Sequence, residues 1–318
     1  MSYTLRNLRV IFSVFIIHSP FSIEAQNIHF SNISENLFVQ NPATITRTEN
    51  IVFQLCYRNQ WPGAGNFTTY DGAFFIHSEP LKSTAGILIL RDIQGDAIIT
   101  STSFGILYGY KARIARTWFL AGGIHAAYNL YSINYSQLTF ENGQYPALLF
   151  DDTQYFFDFS TGLELSYKDN SRYGVSVSRL GSFQPALNSH PGLQINLSYQ
   201  GKYLMNTDYD KNIIKIEPSF YAAIQHRSSE ILYGSRMDIG GILGGIYFRQ
   251  NYQFEFDAII ILLGTRFGNM SFFYCYDINL SGADSRFTNL AAHEVTFLYD
   301  MQYNRKRNER GAIKCPKI

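Results

Sequence analysis

The feature that most constrains this chain is strict alternation of apolar and polar side chains along long segments. From Phe157 to Tyr167 the odd positions carry Phe157, Phe159, Thr161, Leu163, Leu165 and Tyr167, and the even ones Asp158, Ser160, Gly162, Glu164 and Ser166. Successive side chains of a strand point to opposite faces, so this segment has one apolar and one polar face. Leu193, Ile195, Leu197 and Tyr199 alternate with Gln194, Asn196, Ser198 and Gln200 in the same way. So do Phe272, Tyr274, Tyr276, Ile278 and Leu280 with Phe273, Cys275, Asp277 and Asn279. Ile51, Phe53, Leu55 and Tyr57 alternate with Val52, Gln54, Cys56 and Arg58, and Phe104, Ile106, Tyr108 and Tyr110 with Ser103, Gly105, Gly109 and Lys111.

A soluble sandwich also alternates. Three features favour a membrane barrel instead. The segments are long enough for a tilted bilayer crossing. Tyr and Phe cluster at segment ends, as in aromatic girdles, and the polar face is rich in Gly and Ser. Composition agrees: aromatic residues make up 16% and charged residues only 16%, against roughly 25% charged in soluble domains. The mean hydropathy is −0.11, as expected when apolar and polar positions cancel. After the first thirty residues no apolar run reaches the length of about twenty residues that a helical span needs; Ala258 to Leu263 is too short. The expected fold is all-β, a transmembrane antiparallel β-barrel of about 14 strands.

Strands are expected at 49–60, 66–79, 82–92, 97–112, 115–130, 156–168 and 171–180. The rest are expected at 191–203, 213–228, 231–240, 243–251, 254–267, 269–280 and 291–303. Asp169-Asn170 and the link near Ala115 read as tight turns. Ser132 to Tyr155 reads as a long irregular connection. Short turns of such barrels face the periplasm and long loops the exterior, which places that connection outside the cell. Leu163, Leu165, Leu197 and Tyr274 are expected to face lipid, and Glu164, Asn196 and Asp277 the lumen.

The N-terminus reads as a secretory signal, residues 1–25: Arg6 and Arg9 precede the apolar run Val10 to Ile17, and Ala25 precedes a plausible cleavage point at Gln26. Residues 26–48 form an N-terminal segment with a short helical piece, Ser34 to Phe38, then Asn41-Pro42. It would lie either in the lumen as a partial plug or below the barrel as a periplasmic tail. The barrel is assigned to 49–303 and a basic tail to 304–318.

The net charge of +1 gives no reason to expect a nucleic-acid partner. Cys56, Cys275 and Cys315 match no zinc or redox spacing, and Cys56 and Cys275 read as ordinary barrel residues. His125 and His293 have no partner at metal-ligand spacing. There is no Gly-x-Ser-x-Gly elbow and no phosphate loop. No catalytic residues, metal or cofactor are assigned, and no enzymatic activity is expected.

Several fragments, in order, carry a family resemblance: "QNIHFSNISENLFVQNPAT" at 26–44, "YRNQWPG" at 57–63, "YDINL" at 276–280, "AHEV" at 292–295 and the closing "IKCPKI". Together they resemble the PorP/SprF family of outer-membrane proteins of the type IX secretion system. The chain departs from the family pattern at Thr44-Ile45-Thr46, where a glycine is usual, and at the terminal Ile318, where an aromatic is usual. The resemblance marks Asn41, Pro42, Arg58, Gln60, Trp61, Tyr276, Asp277, His293, Glu294, Cys315 and Pro316 as family-motif positions. Their expected roles are structural. Asn41-Pro42 would turn the chain into the first strand. Arg58 and Gln60 would face the lumen and bond the N-terminal segment, with Arg58 meeting Glu294 or Asp277 across the closing seam. Trp61 would lie at a membrane interface.

The resemblance further implies an outer-membrane, non-enzymatic role: anchoring or assisting secretion of a type IX-secreted surface adhesin, or serving as a part of that machinery. The implied partners are the adhesin's C-terminal domain, periplasmic secretion components and the lipid bilayer. Leu138, Phe140, Tyr145, Leu148, Leu149 and Phe150 put apolar groups on the long connection and make it a candidate partner surface. The competing reading is a small-solute channel or transporter.

Overall fold

A computed structural model describes residues 29–62, 67–134, 152–168, 170–181, 192–206, 213–225, 228–280 and 291–301. The first elements are a helix, α1 (Ile33–Gln40), and a 3₁₀ helix (Pro42–Arg47). Strands follow as β1 (Ile51–Gln60), β2 (Phe67–Ser78), β3 (Ser83–Gln94), β4 (Ile99–Arg113) and β5 (Trp118–Ile133). Next come β6 (Asp152–Tyr167), β7 (Ser171–Ser178), β8 (Gln194–Gly201), β9 (Tyr203–Asn206) and β10 (Ile213–Gln225). The last are β11 (Ser228–Ile239), β12 (Ile242–Gln250), β13 (Phe256–Phe267), β14 (Met270–Asn279) and β15 (Ala291–Met301).

Each strand pairs antiparallel with its sequence neighbour, and β15 pairs with β1 from Ile51↔Met301 to Gln60↔Ala292, which closes the sheet. β8 and β9 both pair with β10, one on each side of Lys202, and count as one interrupted strand. The fifteen segments therefore form a closed barrel of fourteen strands. Closure leaves no free sheet edge along the wall, the condition for a strand-built structure in lipid.

The outward face follows from the alternation. Phe53, Leu55 and Tyr57 on β1, Ile87 and Ile89 on β3, and Leu163 on β6 are exposed, while Gln54, Arg58, Leu88 and Glu164 between them are buried. Leu197 is exposed and its neighbour Asn196 buried; Tyr274 is exposed and Asp277 buried. Aromatic pairs mark both rims: Trp118 and Tyr167 at 4.8 Å at one end, Tyr57 and Tyr70 at 5.2 Å and Trp61 and Phe67 at 5.2 Å at the other. This is the girdle arrangement of an outer-membrane barrel.

The connections at 79–82, 114–117, 240–241 and 268–269 are two to four residues long and join strands at one end, the short-turn end. The strands that flank 134–151, 179–193 and 280–290 end at the other, the long-loop end, which also has the short connections 95–98 and 226–227. Gly240 and Gly241, at φ 60° and 92°, make the two-residue hairpin β11–β12, where both positions need the left-handed region.

The structure departs from the sequence reading in two places and decides between the alternatives of a third. β5 and β6 run to Ile133 and from Asp152, so the connection between them is shorter than Ser132 to Tyr155. Asn41-Pro42 is not a turn into β1. The Asn41 side chain accepts from the Ala43 amide at 3.0 Å and caps the 3₁₀ helix, and β1 begins only at Ile51. Of the two placements open for the N-terminal segment, the structure shows the lumen: Asn32 and Glu35 bond the inward-facing Glu294 and Arg236 on one side, and Gln40 and Asn41 bond the inward-facing Ser176 side chain and the Leu163 carbonyl of the wall opposite.

The lumen is consequently a packed core. Ile33 and Leu37 of α1 pack with Tyr221, Leu232, Leu243, Tyr247, Ile260, Leu262 and Phe273. Phe38 and Ile45 pack with Val52, Ala73, Phe75, Leu88 and Leu107. Phe30 packs with Cys56 and Leu90.

Candidate functional site

The closing seam carries a buried ionic cluster that fastens the start of the plug. Arg58 on β1 lies between Asp277 on β14 (Nη2 to Oδ2, 3.0 Å) and Glu294 on β15 (Nη1 to Oε2, 3.4 Å), with all three side chains almost fully buried. Arg249 on β12 reaches the same Asp277 oxygen at 3.0 Å and holds Asp257 at 2.7 Å. Glu294 accepts from the backbone amides of Ser31 (2.6 Å) and Asn32 (2.9 Å) and from the Asn36 side chain (3.3 Å). The Ser31 hydroxyl donates to Asp277 at 2.5 Å and accepts from Arg58. Donors from the plug thus complete the two buried carboxylates, Asp277 and Glu294, and the Ser31 hydroxyl takes a further proton of Arg58, as buried charges require. Strand order explains the gathering: Arg58↔Glu294 are register partners, and Asp277 sits one strand further on.

Further fastenings run down the plug. Arg236 on β11 bridges Glu35 of α1 (2.6 Å) and Glu217 of β10 (2.5 Å). The Gln40 carbonyl accepts from Ser176 (2.7 Å) and Asn196 (3.2 Å). Arg47 holds Glu164 on β6 at 2.5 Å and the Gln200 side chain at 2.5 Å. Between these contacts, Gly109, Gly123 and Gly162 stand side by side on β4, β5 and β6. A Cβ at Gly123 would collide with the Pro42 and Ala43 backbone, one at Gly162 with the Asn41 side chain, and one at Gly109 with Thr46. This row of glycines is the bed on which the 3₁₀ helix lies. The plug therefore crosses the lumen, from Ser31 beside the long-loop end to Arg47 beside the short turns.

A hollow of about 420 Å³ remains at the short-turn end. Leu37, Phe38 and Ile45 of the plug line it together with Val52, Phe75, Phe273 and Leu298 of the wall, and Arg47, Arg236, Arg266 and Asp300 add charge. Among the described residues no group of His, Cys, Asp and Glu is arranged to hold a metal ion. Cys56 and Cys275 are free thiols, both buried on the inner face.

The motif residues divide between the two faces of the seam. Arg58, Asp277 and Glu294 point inward, and Gln60 accepts from Arg58 at 3.4 Å. Tyr276 and His293 are register partners on the outward face, with rings 5.1 Å apart, and the Tyr274 hydroxyl meets His293 Nδ1 at 2.8 Å. Trp61 follows β1 in a left-handed conformation, φ 56°, with its amide on the Ala291 carbonyl at 2.9 Å. Cys315, Pro316, the signal segment, the basic tail and Leu138, Phe140, Tyr145, Leu148, Leu149 and Phe150 lie outside the described residues.

Residues 22–299 match the family described as type IX secretion system membrane protein PorP/SprF. The chain belongs to the PorP/SprF family. It is therefore an outer-membrane barrel connected with protein secretion, working beside other components of that system and in contact with lipid. No curated protein matches the chain in sequence. Among solved structures it is similar to the CymD monoaromatic hydrocarbon channel, at 8% identity over 85% of this chain and 94% of that one, with a TM-score of 0.49. It is also similar to the Pseudomonas putida toluene transporter TodX, at 9% identity over 82% and 92% and a TM-score of 0.48. CdiB from Acinetobacter baumannii matches at 8% identity over 80% and 60%, with a TM-score of 0.42. At such scores the likeness carries no argument about what passes through or binds to this PorP/SprF barrel.

Sequence reasoning missed most of the residues that hold the plug: Ser31, Glu35, Arg47, Arg236, Arg249 and the glycine row. One signal for it was present. Segments such as Gly86 to Leu90 and Ala258 to Leu263 are apolar at successive positions. A strand apolar on both faces is covered on both faces. Lipid covers one side of these PorP/SprF strands, and the plug covers the other.

Proposed function

We propose that this barrel anchors or escorts a type IX-secreted surface adhesin and does not serve as a solute channel. The observation that supports it best is the filled lumen. α1 and the 3₁₀ helix are fixed to the wall by the largely buried pairs Glu35–Arg236 and Arg47–Glu164 and packed into apolar clusters. A plug held this way leaves a barrel whose working surfaces are its two ends and its lipid-facing wall. Membership of a type IX secretion family supports an exported protein as the partner. The connection containing Leu138, Phe140, Tyr145, Leu148, Leu149 and Phe150 stays the proposed contact surface, since it springs from β5 and β6 at the long-loop end.

Two measurements test the proposal. Deleting the barrel should remove one exported adhesin from the cell surface, into the medium or the periplasm, while other type IX cargo is unaffected. The purified barrel in proteoliposomes should give no swelling with small sugars. An unchanged surface adhesin together with porin-like swelling would establish the channel reading in its place.

A further inference from the structure

Charge divides between the two ends of the barrel. Among the described residues the short-turn half carries eleven Lys and Arg against seven Asp and Glu, and the long-loop half four against ten. The excess at the short-turn end lies on one side. On β10 to β13 the cations are matched: Arg236 by Glu35 and Glu217, and Lys215 and Arg266 by Asp238 at 3.5 and 2.9 Å. On the side from β2 to β9 stand Lys82, Lys111, Arg113, Arg116, Lys168 and Lys202, and among the described residues none of them is in an ion pair. Main-chain bonds join them into one arc. The Lys111 amide bonds the Lys82 carbonyl at 3.0 Å, that of Lys168 the Thr117 carbonyl at 3.0 Å, and that of Lys202 the Asn170 carbonyl at 2.7 Å. The Arg113 guanidinium reaches the Arg116 carbonyl at 2.6 Å. The described acids on this side are Glu79, in the turn that carries Lys82, and Glu164, which Arg47 holds at 2.5 Å.

Three of these cations point into the mouth of the barrel. Lys111 and Arg113 share the parity of Leu107 and Gly109, which face the plug. Both lie over the ring of Phe119 on the inner side of β5, at 5.3 and 5.9 Å. Lys202 lines a recess together with Gln200 and with Ser34 of α1. The wall stands between these three groups and the headgroups of the inner leaflet. Adjacent hairpins of a barrel are about 10 Å apart, and the Debye length at physiological ionic strength is about 8 Å, so a polyanion at the mouth feels neighbouring hairpins together. The sequence that continues from this end adds to the charge: 207–212 and 302–318, with Asp169, contain seven Lys and Arg against four Asp and Glu.

We propose that this basic arc, at the periplasmic mouth of the barrel, docks an acidic segment of a periplasmic polypeptide. The inference concerns the end opposite the proposed adhesin surface and does not depend on the anchoring role. Solubility alone is served by charges of both signs interspersed, as on β10 to β13, and gives no reason for a one-signed arc. A cluster of cations without acids of its own speeds encounter with an acidic partner and rejects a basic one. The inward direction of Lys111, Arg113 and Lys202 decides the kind of partner. A headgroup held in the bilayer stays outside the wall, whereas a polypeptide can enter the mouth and bring successive carboxylates to the three cations. The paired cations of β10 to β13 are already satisfied, so such a segment lies to one side of the mouth, beneath the 3₁₀ helix on its bed of glycines.

Ile114, between Arg113 and Arg116 in the β4–β5 turn, is 57% exposed. The test replaces it with the photo-crosslinker benzoylphenylalanine in the full-length chain, in intact cells that make it, and maps adducts by mass spectrometry. The expected adduct is a periplasmic polypeptide, joined through a segment with more Asp and Glu than Lys and Arg. Lys111→Gln with Lys202→Gln should reduce it about fivefold or more. Lys111→Arg with Lys202→Arg, which keep the charge, should leave it unchanged. Neither lysine is in an ion pair of the fold, so both variants should keep heat-modifiable mobility, and Lys111→Gln alone is read if the double variant loses it. An adduct to phospholipid, to peptidoglycan, to the exported surface protein, to residues 207–212 or 302–318, or to a second copy of the barrel would overturn the proposal. So would no adduct, a cross-linked segment without excess acid, or an adduct indifferent to the loss of charge. The anchoring role is read from retention of the adhesin on the surface and this proposal from the periplasmic adduct, so either can fail alone.

Discussion

Arg58 is where the physics of single residues is sharpest. Its guanidinium serves Asp277, Glu294, Ser31 and Gln60 at once, from a position with no access to water. Arg58→Leu leaves Glu294 without a cationic partner and Asp277 with Arg249 alone, so it should cost about 3–5 kcal/mol. Arg58→Lys keeps the charge but not the planar fork that spans two carboxylates, and should fall between. Urea unfolding midpoints in detergent or lipid measure both, and equal midpoints for wild type and the leucine variant would contradict this pairing of Arg58 with Asp277 and Glu294. Gly123 makes a second case. Gly123→Val drives a branched side chain into the Pro42–Ala43 backbone and should destabilise by roughly 1–3 kcal/mol. The same substitution at Gly244, where an added Cβ meets nothing, should be close to neutral by the same assay. Arg58, Asp277 and Glu294 could be read as neighbours from the sequence because a closed barrel must join its first and last strands. Ser31, Arg249 and the glycine bed could not, because nothing local tells which wall a threaded segment will touch.

At the scale of the strand, alternation made the lipid-facing side legible nearly residue by residue. Lipid imposes one requirement on every outward position, so a period of two is enough to find it. Leu197→Arg should therefore cost about 2–4 kcal/mol near the middle of the band. Ser198→Arg, one residue on and facing the other way, tests the assignment by contrast: its cost comes from lumen packing and should not change with lipid chain length, whereas that of Leu197→Arg should. Measuring both in short- and long-chain lipids decides it, and an identical lipid dependence would contradict the assigned faces. The inward face obeyed no single rule. Leu88, Leu90, Leu107, Ile260 and Leu262 point into the lumen beside Gln54, Asp92 and Glu164, because each position answers to a particular stretch of plug. The break at Lys202, where its amide bonds Asn170 at 2.7 Å and divides one strand into β8 and β9, was likewise invisible to periodicity. So was the height of β6 above β7, since strand length in a barrel is set by neighbours distant in sequence.

For the whole molecule, the decisive relation is between plug and wall. A pore-forming barrel keeps a polar lining that is stable when wet. Here the inner wall carries Leu232, Leu243, Ile260 and Leu262, each 0–1% exposed because Ile33 and Leu37 of the plug cover the cluster they form. Without residues 29–40 these side chains would face water, at about 25 cal/mol for every Å² of apolar surface uncovered. Arg58, Glu294 and Arg236 would also lose the Ser31, Asn32 and Glu35 groups that complete their pairing. The plug then contributes to the stability of the barrel rather than gating it. Deleting 29–40 is expected to lower the yield of heat-modifiable barrel sharply and to produce no steady channel in planar bilayers. A gated transporter predicts the opposite, a folded barrel with large, stable conductance, because a gate must leave intact the wall from which it withdraws. Restoring α1 with Ile33→Ser and Leu37→Ser separates the two contributions. If apolar cover is what the wall requires, these two changes should reproduce most of the deletion's loss of yield although every ion pair of the plug is still present.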